Sequence, residues 1–167
     1  MTYDAGGQTM SKSKNVLIVG VLLLIVGVLL LMYRLQADNG ADPKVTTLGS
    51  VEVTAKLEEI RDTFPPNNLY DYVYILKYRV LQTHRGKVDG DTILVGHYNP
   101  LKPRAEAADA RSGQIGGNLK KFSAGDVHRM ALETPLDDYY MGPIINKYHG
   151  QDAGPLYWVV WTNRVVR

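Results

Sequence analysis

Chemistry in this chain would have to come from a short list of side chains. The four imidazoles are His84, His97, His128 and His149, and there is no cysteine. Without cysteine there can be no disulfide, no thiolate zinc site, no cysteine-ligated iron–sulfur cluster, no covalently attached c-type haem and no lipid attached at a thiol. A zinc-type site needs about three histidines, or histidines with carboxylates, converging on one point. The spacing of these four matches no ligand motif, so neither a metal nor any other cofactor is expected. Ser123, Asp126 and His128 are the residue types of a nucleophilic triad. On an extended strand Asp126 and His128 point one way and Ser123 the other, and no Gly-x-Ser-x-Gly elbow is present. Asp89-Gly90-Asp91 lacks the spaced oxygen ligands of a calcium loop and reads as a hairpin turn. Asp137 and Asp138 are adjacent, so their carboxylates diverge instead of pairing for acid–base work on a sugar. No complete catalytic constellation is legible, and a non-enzymatic protein is expected.

What remains is contact chemistry. Asp137-Asp138-Tyr139-Tyr140-Met141 combines acids with aromatic and thioether side chains, which offer large contact area at modest entropic cost and suit protein docking. Tyrosines also stack on sugar rings. The row Tyr70, Tyr72, Tyr74 and Tyr78 has the same double character, because amphipathic tyrosines equally cap the edge of a core. Trp158 and Trp161 fall on opposite faces of a regular strand, one for the core and one for contact. The candidate partner-binding set is therefore Tyr72, Tyr74, Asp137, Asp138, Tyr139, Tyr140, Met141 and Trp158.

Strands must position these groups. Val51, Val53, Ala55 and Leu57 alternate with Glu52, Thr54, Lys56 and Glu58, which predicts a half-buried strand. A second strand is expected over residues 70–84. Its two faces, Tyr70-Tyr72-Tyr74-Leu76-Tyr78-Val80 and Val73-Ile75-Lys77-Arg79-Leu81, are both mixed, so a bulge is placed near 76–78. Residues 92–98 form its hairpin partner, with His84 opposite Thr92 and His97 near Arg79. Residues 99–121 read as a loop insertion with a helical turn around 105–110. Residues 122–133 and 156–162 supply further strands. A domain of this kind closes best as a small antiparallel barrel, which removes exposed strand edges.

Tyr78-Arg79-Val80-Leu81-Gln82-Thr83-His84-Arg85-Gly86, followed by Thr92-Ile93-Leu94-Val95, resembles a hairpin of OB-like barrels of the tissue-inhibitor-of-metalloproteinase and netrin-module type. The resemblance covers about a sixth of the chain. It implies a fold only. That family uses disulfides and an N-terminal cysteine for inhibition, and both are absent here.

Residues 16–33 contain no charge and are almost all Val, Leu, Ile or Gly. As a helix, about 18 residues span roughly 27 Å, near the hydrocarbon thickness. The alternative is a signal peptide cleaved near Ala37 or Ala41. The expected layout is a cytoplasmic tail (1–15), a transmembrane helix (16–33) with Val16, Gly20, Gly27 and Tyr33 in the anchor, a linker (34–47) and a β-rich extracytoplasmic domain (48–167). Lys12 and Lys14 favour a cytoplasmic N-terminus, which puts the domain outside a cell membrane, in the periplasm of a Gram-negative source. The formal charge is only +2, and no basic stripe with interleaved aromatics is present, so nucleic acid is not an expected partner. The expected role is an accessory subunit that stabilises a membrane protein complex, with the lipid bilayer as its other partner. The competing role is binding or modification of a cell-envelope polysaccharide.

Overall fold

A computed structural model describes the backbone of residues 9–35, 38–151 and 154–166, and the side chains of 15–28, 38–151 and 154–166. Helix α1 is Thr9–Leu35. Its described side chains, Val16 among them, are exposed, and Gly20 and Gly27 have nothing near them. The Tyr33 side chain lies outside the described residues. Among the described residues, no helix is long and apolar enough to cross a membrane. This overturns the expected single-pass anchor at 16–33, and with it the single-pass cell-membrane location.

The remaining residues form a mainly-β barrel. Its strands are β1 (Val51–Glu59), β2 (Val73–Arg85), β3 (Thr92–Tyr98), β4 (Val127–Glu133) and β6 (Leu156–Arg164), with a two-residue β5 (Ile144–Ile145) between the last two in sequence. They pair in the order β1-β4-β6-β3-β2, and β2 pairs back onto β1 to close the ring. Closure leaves the five long strands without a free edge. The expected all-antiparallel barrel is corrected at two junctions: β3 runs parallel to β6, and β5 parallel to β2.

Both faces of β2 are buried, which explains its mixed pattern without a bulge at 76–78. Tyr72, Tyr74, Leu76 and Tyr78 point into the barrel core with Val53, Leu57, Ile93, Val95, Met130 and Val159. Val73 and Ile75 face outward, yet are covered by a second apolar layer with Leu136, Tyr140, Trp158, Ala107 and Ile115. The register of β2 with β3 is regular from Val73–Tyr98 to Arg79–Thr92, and the three irregularities lie where β2 pairs with β1, with extra residues at Leu81 and His84 of β2 and at Glu58 of β1, opposite Lys77 and Tyr78. Arg79 is thus opposite Thr92, and His97 is opposite Tyr74 instead of near Arg79. The expected hairpin register was five residues out, because the end of β2 leaves β3 and follows β1.

A bulge the sequence did not announce lies in β6. Leu132 pairs with Val159, but Ala131 pairs with Trp161, so Val160 is an extra residue. One extra residue swaps faces, so Trp158 and Trp161 both face outward rather than to opposite sides.

Two other expectations change. Residues 38–47, read as linker, belong to the fold. Asp42 caps the short helix α2 (Pro43–Thr47) through the Lys44 and Val45 N–H groups at 2.8 and 2.9 Å, and Val45 is fully buried. The insertion 99–121 is packed as well. It holds helix α3 (Arg104–Ala107), and Gly116 exchanges backbone hydrogen bonds with β6, donating to Val160 and accepting from Thr162.

Gly117 lets this segment lie so close. Its φ is +128°, and a Cβ there would run into the Thr162 carbonyl. Gly117→Ala should lose about 2–3 kcal/mol from backbone strain plus overpacking. Gly90→Ala, also at positive φ but facing open space, should lose about 1 kcal/mol or less. Urea unfolding of both variants gives the comparison.

Candidate functional site

The strand directions gather several loops at one end of the barrel. The end of β3 and the start of β2 meet there, since the two strands are antiparallel with Tyr98 opposite Val73. The start of β4 and the end of β6 meet there too, with His128 opposite Arg164. The loop before β2, the loop after β3 and the approach to β5 are tied together. Asn99 N–H donates to the Tyr72 carbonyl at 2.9 Å, and Val73 N–H to the Pro143 carbonyl at 2.9 Å. The Lys102 ammonium pairs with Asp71 at 3.5 Å. This rim presents large apolar side chains to water. Met141 is 98% exposed and Leu69 84%, and Leu101 and Tyr70 are about half exposed. Apolar groups gathered on one rim are the mark of a contact surface, whereas scattered ones are ordinary.

The candidate contact residues divide by burial. Asp137, Asp138, Tyr139 and Met141 are exposed. Tyr72, Tyr74, Tyr140 and Trp158 are buried. Tyr72 donates to the Pro65 carbonyl and Tyr74 to the Arg61 carbonyl, and burial pushes the Tyr72 phenol up to about 12. Tyr140 stacks on Trp158 with ring centroids 5.4 Å apart and planes 10° apart, and sits 5.5 Å from Tyr98. These four tyrosine and tryptophan side chains hold loops to the barrel.

Trp158 keeps one edge on a groove. A pocket of about 220 Å³ lies between the 111–115 segment and β6, lined by Tyr139, Trp158, Arg111, Gln114 and Glu133 among others. Glu133 is held there by the Ser50 N–H at 3.0 Å and the Ser50 hydroxyl at 2.5 Å. A second pocket on the other side of residues 113–115 is lined by Trp161 and Lys44. The β6 bulge is what turns both tryptophans toward these grooves.

The barrel interior holds an unexpected polar cluster. The Tyr78 hydroxyl lies 3.1 Å from His97 Nε2 and 3.1 Å from His128 Nδ1, with all three residues fully buried. A phenol has one proton to give, so it donates to one imidazole and accepts the N–H of the other. Burial raises the Tyr78 phenol well above its ordinary range. Burial, with Arg104 next, holds His97 well below the usual histidine value. Burial, with Arg164 next, brings His128 down to about 4. His97 Nδ1 and His128 Nε2 have no hydrogen-bond partner. Three groups meet here, but a phenol between two imidazoles is not a metal site. No cluster of three or more His, Asp or Glu that could hold a metal occurs among the described residues. The same pairing of His128 with Tyr78 removes it from Ser123 and Asp126. Those two make a turn, with Asp126 N–H donating to the Ser123 carbonyl at 3.1 Å.

Several site residues escaped the sequence reading. Leu69 and Leu101 are single apolar residues in Pro- and Asn-rich loops, a weak signal. Arg104, Lys120, Lys121 and Arg164 carry no local motif and acquire meaning only through the fold. Against protein-family models, curated proteins and solved structures alike, this chain has no match.

Proposed function

We propose that this chain is a non-enzymatic interaction module that docks on a protein partner through the rim formed by Leu69, Tyr70, Leu101 and Met141. The observation that carries the reading is the near-complete exposure of Met141 and Leu69 on adjoining loops of an otherwise well-packed barrel. Leaving such side chains in water gains nothing for folding, while burying them against a partner contributes about 1.5–3 kcal/mol each. Asp71 and Lys102 beside them supply a polar border, as the rim of a docking site requires. Loops tied down by Tyr72 and Tyr98 present this surface with little left to order on binding.

The test is co-purification of the full chain under mild conditions. The wild type should bring down one partner in a fixed ratio. Met141→Asp with Leu101→Asp should weaken that association at least about tenfold, since centrally placed contacts are each worth above 1 kcal/mol. Leu81→Asp, at an exposed site on the other end of β2, should not. A wild-type protein that runs alone, or a Leu81 variant that is equally impaired, sinks the reading. Substituting Tyr140 is a poor probe, because its stacking on Trp158 makes it structural.

A second reading is binding of a polysaccharide in the groove of Tyr139, Trp158, Arg111, Gln114 and Glu133. An exposed tyrosine beside fixed polar groups favours it. Retention on a glycan array, lost in Tyr139→Ala but kept in the Met141 variant, separates it from the first.

A further inference from the structure

We propose that the mouth of the barrel between residues 118–126 and the end of β6 binds the phosphate group of a small phosphate monoester. A cavity of about 480 Å³ opens there, lined by Lys120, Lys121 and Arg164 together with Asn118, Ser123 and Asp126. Among the described residues, none of the three cations has a carboxylate within 4.0 Å. Three like charges around one cavity repel one another unless an anion sits among them.

Both walls are built. Asn118 and β6 are clamped together: Asn118 N–H donates to Asn163 Oδ1 at 3.0 Å, and Arg164 N–H donates to Asn118 Oδ1 at 2.7 Å. That clamp holds the segment carrying Lys120 and Lys121 against the end of β6. Opposite, Gly125 N–H donates to the Leu57 carbonyl at 2.7 Å, and Leu57 N–H to the Asp126 carbonyl at 2.9 Å. Leu119 and Phe122 are buried at the base of this segment. The pairing of His128 with Arg164 puts them on the same face of the sheet, His128 fully buried and Arg164 exposed at the mouth. The polar interior at this end also contains Thr162, whose hydroxyl is buried without a partner, like His128 Nε2.

Charge decides the ligand class. Three cations against Asp126 leave two positive charges, which match a dianionic phosphate and exceed what a monocarboxylate neutralises. The arginine adds a planar fork suited to phosphate oxygens, and lysines serve as point charges. The volume is larger than one phosphate ion needs, so room remains for the attached group, with the Asp126 carboxylate placed to accept a hydroxyl from it. The positive charge is confined to one pocket, unlike the track that a nucleic-acid backbone requires.

The experiment is a backbone-amide NMR titration of the full chain with phenyl phosphate, inorganic phosphate and benzoate. Phenyl phosphate and inorganic phosphate should give saturable shifts at residues 118–126 and 164, and benzoate should bind at least about tenfold more weakly. Arg164→Gln, and Lys120→Gln with Lys121→Gln, should each weaken phosphate binding about tenfold or more. Lys87→Gln, a remote exposed lysine, should leave it unchanged, as should Met141→Asp, which separates this site from the docking rim. The proposal is overturned by shifts that do not saturate, by benzoate binding as well as phenyl phosphate, or by equal weakening in the Lys87 variant.

Discussion

Arg104→Ala is expected to destabilise the protein by about 3–5 kcal/mol, the range for breaking a buried charged network. The Arg104 side chain is 1% exposed. Its guanidinium donates to the backbone carbonyls of Tyr98 at 2.7 Å, Asn99 at 2.6 Å and Lys102 at 2.9 Å, and lies 5.2 Å from the centre of the Phe122 ring. These carbonyls belong to the turn where the chain leaves β3, and Asn99 there has a φ of +46°. The arginine is therefore the clamp that lets the turn be buried. Its removal takes the guanidinium donor from three carbonyls, of which Asn99 keeps only the Lys102 N–H at 3.0 Å; an acceptor left unpaired and buried costs about 1–3 kcal/mol before relaxation, and a cavity opens beside Phe122. Burial without a carboxylate brings the guanidinium pKa down to about 10, so the charged form is already disfavoured by its surroundings. Arg104→Lys keeps the charge but cannot reach three carbonyls in one plane, and should recover less than half the loss. Chemical unfolding of the two variants checks this. An Arg104→Ala loss below about 1 kcal/mol would show that the turn does not depend on the clamp.

Acidification should destabilise the fold from about pH 6.5 downward, well before carboxylates protonate. His128 is held near 4 in the folded chain, against about 6.5 when unfolded. Between those values the unfolded chain binds a proton that the folded one refuses, so stability is complete above the unfolded value and falls as pH drops toward the folded one. His128 alone contributes about 3 kcal/mol over that window. His97, held well below the usual histidine value by burial and then Arg104, adds in the same direction. Thermal melts from pH 7.5 to 5 make the measurement. His128→Phe should make the curve shallower by the His128 share and leave that of His97, even though Tyr78 loses one partner. A wild-type melting temperature that is level from pH 7 to 5 would exclude neutral, buried imidazoles.

The two effects share an origin that bears on how much of the protein was legible in advance. Residues 92–98 were placed correctly as β3, and the alternation from Val51 to Leu57 correctly gave a half-buried strand, because local period-two patterning reports burial of one face directly. The tyrosine row was ambiguous for a physical reason. A strand buried on both sides has no polar face to set its parity, and the second apolar layer over Val73 and Ile75 comes from segments far along the chain. The contact candidates divided along the same line. Asp137, Tyr139 and Met141 lie in a loop and stayed exposed, while Tyr72, Tyr74, Tyr140 and Trp158 were drawn under other segments.

Local composition was enough to establish a β-rich domain without cysteine, a set of strands close to the observed ones, and a loop rich in contact chemistry. Pairing partners, the Val160 bulge that turns both tryptophans outward, and the meeting of Tyr78 with His97 and His128 were settled by closure of the barrel. Closure joins residues 50 positions apart, as with Tyr78 and His128. No neighbour in sequence records such a contact, because the energy that fixes it comes from burying the whole interior at once.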